Sequence, residues 1–261
     1  MGVLNITPDS FSDGGLFFNK NRAVEHALKM RDEGADIIDI GGESTRPGAE
    51  NISVDEEIRR VIPVIEELAK RTEIPISIDT CKSSVAKAAV SSGASMVNDI
   101  SGLRFDSKMP GVIAQHDIPV VIMHIKGTPK NMQKNPVYNA LIPEIMDYLR
   151  EGIEIARHAG IDDNKIIIDP GIGFGKTVEH NLEIIKRLNN LTGFEKPILL
   201  GPSRKSFIGK TLGGLPVSER LEGTAAATAI GIFNGANIIR VHDVKAMVRV
   251  AKIADAIKIG F

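Results

Sequence analysis

Cysteine is almost missing from this 261-residue chain. Cys81 alone excludes an intramolecular disulfide, as expected of a protein that lives in a reducing compartment. Net charge is missing too: 32 basic against 33 acidic residues leave −1. That removes the electrostatic reason to expect nucleic acid or an anionic membrane as a partner, while a local basic site for a small anion stays open. No uncharged apolar run nears the roughly 18 residues of a membrane helix. The N-terminus has no basic region and too short an apolar run for a secretory signal. Gly2 heads a myristoylation-like string, but Ile6 stands where Ser or Thr is required. The six histidines are scattered, and neither His124 nor His242 has a second His or Cys at ligand spacing, which excludes a structural zinc. Ser203 and Ser206 lack the glycine-flanked turn of a serine nucleophile. Tryptophan is absent while Ile, Lys and Glu abound, a balance that thermophile proteins share.

What is present is alternation. Short apolar, β-branched runs at Gly2–Asn5, Asp36–Ile40, Pro75–Ile78, Met96–Asn98, Pro119–Met123, Lys165–Ile168, Pro197–Leu200 and Asn237–Val241 have the character of buried parallel strands. Amphipathic helical stretches lie between them. Ser53 and Glu56 form a capping-box pattern ahead of Ile58, Ile62, Ile65 and Leu68. Pro143–His158, Val178–Leu188 and Thr224–Phe233 are further helical patterns. Gly34, Gly93 and Gly235 punctuate helix ends. Eight strand–helix units in about 260 residues, without a linker, give an α/β class and a single domain over 1–261. The expected form is a (β/α)₈ TIM barrel; an open doubly wound sheet is the alternative. The polar loop Lys126–Asn139 is expected to be mobile.

The polar residues cluster where barrel active sites form, at the C-terminal ends of strands. They are Asn5, Asp79, Asn98-Asp99, His124, Asp169, Ser203-Arg204-Lys205, Arg240 and His242. A single such residue is usually a structural cap. A whole rim of them is hard to reconcile with packing, because buried polar groups are costly unless paired. Barrel closure would set Asn5 beside Arg240 and His242, an amide, a guanidinium and an imidazole that suit a phosphate or diphosphate. Asp79, Asn98, Asp169 and Lys205 would converge on a flat, nitrogen-rich ring, with Met123 and Phe174 on its faces. The stretch Asp169–Thr177 looks like a P-loop but has Pro170 where the first glycine belongs. Cys81, at a helix start, has a position that can lower a thiol pKa, though a buried small side chain explains it as well.

Longer strings carry a resemblance. Met1–Gly15 and Gly41–Gly48 resemble the first two signatures of the dihydropteroate synthases. Ser77–Thr80, Val97–Ile100, Asp169–Lys176, Ser203–Ser206 and Arg240–Asp243 are similar to the rest, in order and over essentially the whole chain. The resemblance implies condensation of (7,8-dihydropterin-6-yl)methyl diphosphate with p-aminobenzoate to 7,8-dihydropteroate and diphosphate, with Mg²⁺ as cofactor, in folate synthesis. It implies that Asp79, Asn98, Asp169 and Lys205 hold the pterin, and that Asn5, Arg240 and His242 hold the diphosphate, with Asn5 near Mg²⁺. Thr45 and Arg46 would sit on a mobile substrate-contacting loop, and Phe11, Pro47 and Ser206 would form the p-aminobenzoate pocket. A cytoplasmic homodimer is the family expectation. Family members carry residues ahead of strand 1 that plug the barrel floor; this sequence starts inside that strand, so the expectation is a barrel without that segment. The rival readings are a pterin-binding methyltransferase barrel, which would not need Arg240-Val241-His242, and a non-catalytic pterin-binding paralogue.

Overall fold

The computed structural model describes residues 1–7, 16–46 and 48–259, leaving aside the side chains of 16–19. Six strands form one parallel sheet in sequence order: β1 (Gly2–Asn5), β2 (Ile38–Gly41), β3 (Ile76–Asp79), β4 (Met96–Asp99), β5 (Val120–Met123) and β6 (Ile166–Asp169). A further pair, β7 (Leu199–Leu200) and β8 (Ile238–Ile239), is also parallel. Single bridges join the two sheets at both edges, Ile168 to Ile198 and Gly2 to Val241. At the second seam Val3 N–H donates to Val241 C=O and Val241 N–H to Met1 C=O, both at 3.0 Å. The ring is therefore closed, which removes the doubly wound alternative and the exposed edges an open sheet would leave.

The helices form the outer layer: α1 (Leu16–Asp32), α2 (Val54–Arg71), α3 (Ser83–Ser91), α4 (Met109–His116), α5 (Leu141–His158), α6 (Val178–Lys186), α7 (Ser206–Thr211), α8 (Leu221–Phe233) and α9 (Val244–Ile259). Two helices, α7 and α8, rather than one separate β7 from β8. The capping box at Ser53 is only half made. Ser53 Oγ accepts from Glu56 N–H at 3.2 Å, but the Glu56 carboxylate turns to Arg60 at 2.7 Å instead of reaching back. A full box forms where the sequence showed none, between Thr177 and His180 at the start of α6. Gly34, Gly93 and Gly235 all take positive φ and end their helices, as their positions required.

Strand alternation then fixes the interior. Outward residues such as Ile38, Ile40, Ile78, Val97, Ile122 and Ile168 meet the helices in the main core. Inward residues Met1, Met96, Val121, Ile167 and Leu199, with Ile37 and Ile238, fill the lower barrel. One layer higher, strand register sets Asn5, Gly41, Asp79 and Asn98 side by side, and pairs Met123 with Asp169. The barrel is thus apolar below and polar at its mouth. The loop 126–139 is tied down: Met132 is buried, Lys126 pairs with Glu144 at 2.9 Å, and Tyr138 Oη donates to Gly175 C=O at 2.8 Å.

Candidate active site

Arg240, just past β8, reaches across the mouth. Its Nε donates to Asp39 Oδ2 and its Nη2 to Asp79 Oδ2, both at 2.6 Å. Asn98 Nδ2 donates to the same Asp39 oxygen at 3.1 Å. On the opposite wall Asp169 Oδ1 accepts the Gly171 N–H at 2.6 Å. Lys205 enters from the loop after β7, donates to Ile172 C=O, and places Nζ 4.4 Å from the centre of the Phe174 ring. His242 Nδ1 lies 3.0 Å from Ser203 Oγ. The Asn5 side chain points into the same space: a Cβ built on Gly41 would stand 3.6 Å from Asn5 Oδ1 and 3.6 Å from Asp79 Cβ. Met123, with Ile100, Ile125 and Met132, forms an apolar patch against which Phe174 packs.

Burial sets the charge states. It pushes Asp79 up to about 7 even though Arg240 opposes the shift. Burial raises Asp169 as well, with the Gly171 N–H working the other way. Burial lowers Lys205 to about 8 against the pull of Asp169. Burial also opposes the charge of Arg240, but Asp39 and Asp79 outweigh it and hold the guanidinium above its usual range. His242 is lowered to about 4 by burial and by Arg240, so its imidazole is neutral at pH 7.

The loop between β6 and α6 is the most constrained part of the rim. Gly171, Gly173 and Gly175 all have positive φ, and added Cβ atoms would collide with His124, Lys205 and Lys126 respectively. Four consecutive carbonyls receive side-chain donors: Ile172 from Lys205, Gly173 from Gln133, Phe174 from Lys176 and Gly175 from Tyr138. Lys176 is itself buried and also contacts His124 Nδ1 at 2.9 Å. The P-loop-like lysine therefore points inward to hold its own loop, and does not reach toward a phosphate.

Several rim residues serve structure. Asp99 follows inward Asn98, so it points outward, and its two oxygens accept the Ser101 and Leu103 N–H groups. His124 likewise follows inward Met123 and is buried against Tyr148 and Lys176. Arg204 pairs with Asp243 at 2.8 Å. Cys81 does not have a lowered pKa: burial and the neighbouring Asp99 push the thiol well up. Thr45 lines a cavity of about 600 Å³ together with Asp79; Arg46 and Ser206 are exposed and do not line it. Phe11 and Pro47 lie outside the described residues. Three charged residues at the mouth go beyond the sequence reading: Asp39, Glu57 and Lys82. Lys82 bridges buried Glu57 at 2.6 Å and Glu43 at 3.0 Å, anchoring the loop that carries Thr45. Asp39, an acid inside Ile37-Ile38-Asp39-Ile40, carries a readable signal: a carboxylate in a buried strand needs a partner.

A closed barrel with an apolar patch, two buried acids and a lysine at its mouth suits a pterin-type ring, and comparison with known proteins agrees. The model of the family "pterin binding enzyme" matches residues 1–242. The chain is 52% identical to the dihydropteroate synthase of Bacillus subtilis over 256 residues, covering 98% of this chain and 87% of that protein. It is 47% identical to the Escherichia coli dihydropteroate synthase over 259 residues, covering 98% and 90%. Among solved structures, a Clostridium difficile dihydropteroate synthase crystallised with pteroic acid superposes with a TM-score of 0.93 at 50% identity, over 98% of this chain and 95% of that one. The Xanthomonas albilineans enzyme in complex with 7,8-dihydropteroate gives 0.89 at 40% identity, over 99% and 92%. The chain belongs to the pterin-binding enzymes, and among them to the dihydropteroate synthases.

Proposed function

We propose that this barrel joins (7,8-dihydropterin-6-yl)methyl diphosphate to p-aminobenzoate, giving 7,8-dihydropteroate and diphosphate, with the mouth residues in the following roles. Asp79, Asn98, Asp169 and Lys205 hold the pterin; Asn5, Arg240 and His242 hold the diphosphate; Thr45 and Arg46 belong to a loop that contacts substrate; Phe11, Pro47 and Ser206 form the p-aminobenzoate pocket. The observation that carries the reading is the convergence of Asp79, Asn98 and Arg240 through hydrogen bonds of 2.6–3.1 Å in a chain of this family. Met123 and Phe174 supply apolar faces for the ring, and carboxylates accept from its N–H edge.

In the reaction the C–O bond to diphosphate breaks first. Arg240, charged at any working pH, and neutral His242, donating an N–H, stabilise the negative charge that develops on the leaving oxygens. Asp169 and Asp79 stabilise the cationic pterin left behind. The neutral aromatic amine attacks that carbon, and the resulting ammonium loses its proton to water. No protein nucleophile takes part. The residues present fit a Mg²⁺ ion of the kind that keeps most of its waters and binds substrate phosphates: Asn5 Oδ1, beside Gly41 and Asp79 at the mouth, offers one oxygen ligand. Bound there, the ion would neutralise diphosphate charge.

A homodimer is supported by an apolar strip on α8 and α9, where Ile230, Phe233, Ile253, Ile257 and Ile259 are each at least half exposed. Cytoplasmic location is supported by the single cysteine, which fits a reducing compartment; among the described residues no helix is long and apolar enough to cross a membrane. The assay is diphosphate release with and without p-aminobenzoate. Arg240→Ala and Asp169→Ala are expected to abolish coupled release while both variants remain folded. Retained turnover in either variant would overturn the assignment of roles.

A further inference from the structure

Asp39 sits in the middle of β2 with no exposed surface, in register with Val3 on one side and buried Ser77 on the other, just above the apolar fill of the lower barrel. Burying a carboxylate there costs several kcal/mol unless it is paired, and the barrel wall would close as well around a hydrophobe. The cost is offset at one atom. Asp39 Oδ2 accepts from Arg240 Nε at 2.6 Å and from Asn98 Nδ2 at 3.1 Å, while Oδ1 has no partner among the described residues. Under the reading proposed above, those two donors belong to different halves of one substrate: Arg240 to the diphosphate, Asn98 to the pterin.

The second arm of Arg240 sharpens the point. Its Nη2 donates to Asp79 Oδ2 at 2.6 Å, so the carboxylate assigned to the pterin is already occupied by a guanidinium. A pterin presents a ring N–H and an exocyclic amine side by side, the same kind of two-donor edge that a guanidinium offers. Arg240 and the pterin therefore compete for Asp79. An incoming diphosphate draws Nη2 outward and frees Asp79, provided that Nε stays anchored in the barrel. We propose that Asp39 is the positioning residue that keeps that anchor, so that Arg240 pivots between Asp79 and the diphosphate and the two halves of the substrate reinforce each other's binding. Asn98, on the same oxygen, holds the pivot in line with the pterin edge.

This inference rests on the synthase reading, and the test separates the two. The affinity of 6-hydroxymethyl-7,8-dihydropterin, which lacks the diphosphate, is measured by calorimetry with and without inorganic diphosphate and Mg²⁺. In the wild-type protein diphosphate is expected to tighten the pterin by about tenfold, within the usual range of coupling between sites. Asp39→Asn keeps the volume but releases the anchor, and the enhancement is expected to fall below twofold. Arg240→Lys, a milder change, keeps a cation but offers only one nitrogen, so it cannot stay on Asp39 while it reaches the diphosphate; the same loss is expected. A purely structural Asp39 would lower the melting temperature and leave the ratio unchanged. A wild-type enhancement preserved in Asp39→Asn, or in Arg240→Lys should the first variant not fold, would overturn the pivot, as would a turnover-competent wild-type protein without enhancement. Absence of both pterin binding and turnover in the wild-type protein would sink the synthase reading, and the pivot with it.

Discussion

Gly171→Ala tests how tightly the β6 loop is built into the site. Gly171 has φ +71°, and a Cβ there would stand 1.9 Å from the His124 carbonyl oxygen. An alanine in the left-handed region costs about 1–2 kcal/mol. The collision is with backbone at the end of β5, where His124 N–H donates to Asp169 C=O at 2.9 Å, so a rotamer change cannot relieve it. The loop must move away, and the Gly171 N–H then leaves Asp169 Oδ1, its partner at 2.6 Å. Losing a hydrogen bond to a buried charged group costs about 1.5–3 kcal/mol more. The sum is about 2.5–5 kcal/mol of stability in urea unfolding. Displacement of Asp169 adds a loss of about 100-fold in kcat/KM for the pterin substrate. Gly160→Ala is the control: Gly160 also has positive φ, +87°, but nothing lies within 4 Å of its added Cβ, so only the conformational cost of about 1–2 kcal/mol applies. If the two variants are equally stable and equally active, the crowding at Gly171 is not what fixes Asp169.

Burial lowers His124 to about 2 and His242 to about 4. Both folded values lie below the free imidazole value of about 6.5, so the stability they contribute is complete above pH ~6.5 and is lost as pH falls toward 4 and below. Asp79, raised by burial, acts in the opposite sense between about pH 4 and 7. His124→Gln should remove about 1.4 kcal/mol per pH unit from the fall in stability between pH 6 and 4, measured by urea titrations at each pH; an unchanged slope would refute the buried neutral imidazole. Lys176→Met deletes the donor to Phe174 C=O while relieving the cost of burying an amine whose charged form burial disfavours, so overall stability should stay within about 1 kcal/mol. KM for the pterin diphosphate should rise about tenfold as Phe174 loosens, with KM for p-aminobenzoate unchanged, about 1.4 kcal/mol at one subsite. Phe233→Glu with Ile253→Glu should weaken self-association by about 30-fold or more, seen as monomer in sedimentation at micromolar protein; an unchanged mass would place the dimer contact elsewhere.

Much of the barrel and its mouth was legible in the sequence because strand parity and apolar context agree there. Asn5, Asp79, Asn98 and Asp169 each end an apolar run on the inward face, so a polar side chain in that position has to stand at the mouth. The same signal misleads at Asp99 and His124, one residue further on, where parity turns the side chain outward to cap a turn or pack under a loop. Asp39 is readable as a buried acid, but its partner was hidden by a different limit. Its inward direction is a matter of parity, but its meaning depends on Arg240, 201 residues away and brought alongside only when β8 closes against β1. Lys176, in a string that departs from a P-loop at Pro170, turns back on Phe174 and His124, a contact that no sequence pattern announces. The Ser53 capping box failed in half because Arg59 and Arg60 outcompete a backbone N–H for Glu56.

The most direct measurement follows diphosphate and dihydropteroate together in one time course, from (7,8-dihydropterin-6-yl)methyl diphosphate, Mg²⁺ and p-aminobenzoate. One diphosphate released per dihydropteroate formed, with no pterin attached to the protein at any time, is the predicted result. A covalent pterin–protein adduct, or tight pterin binding with no diphosphate released, would contradict it.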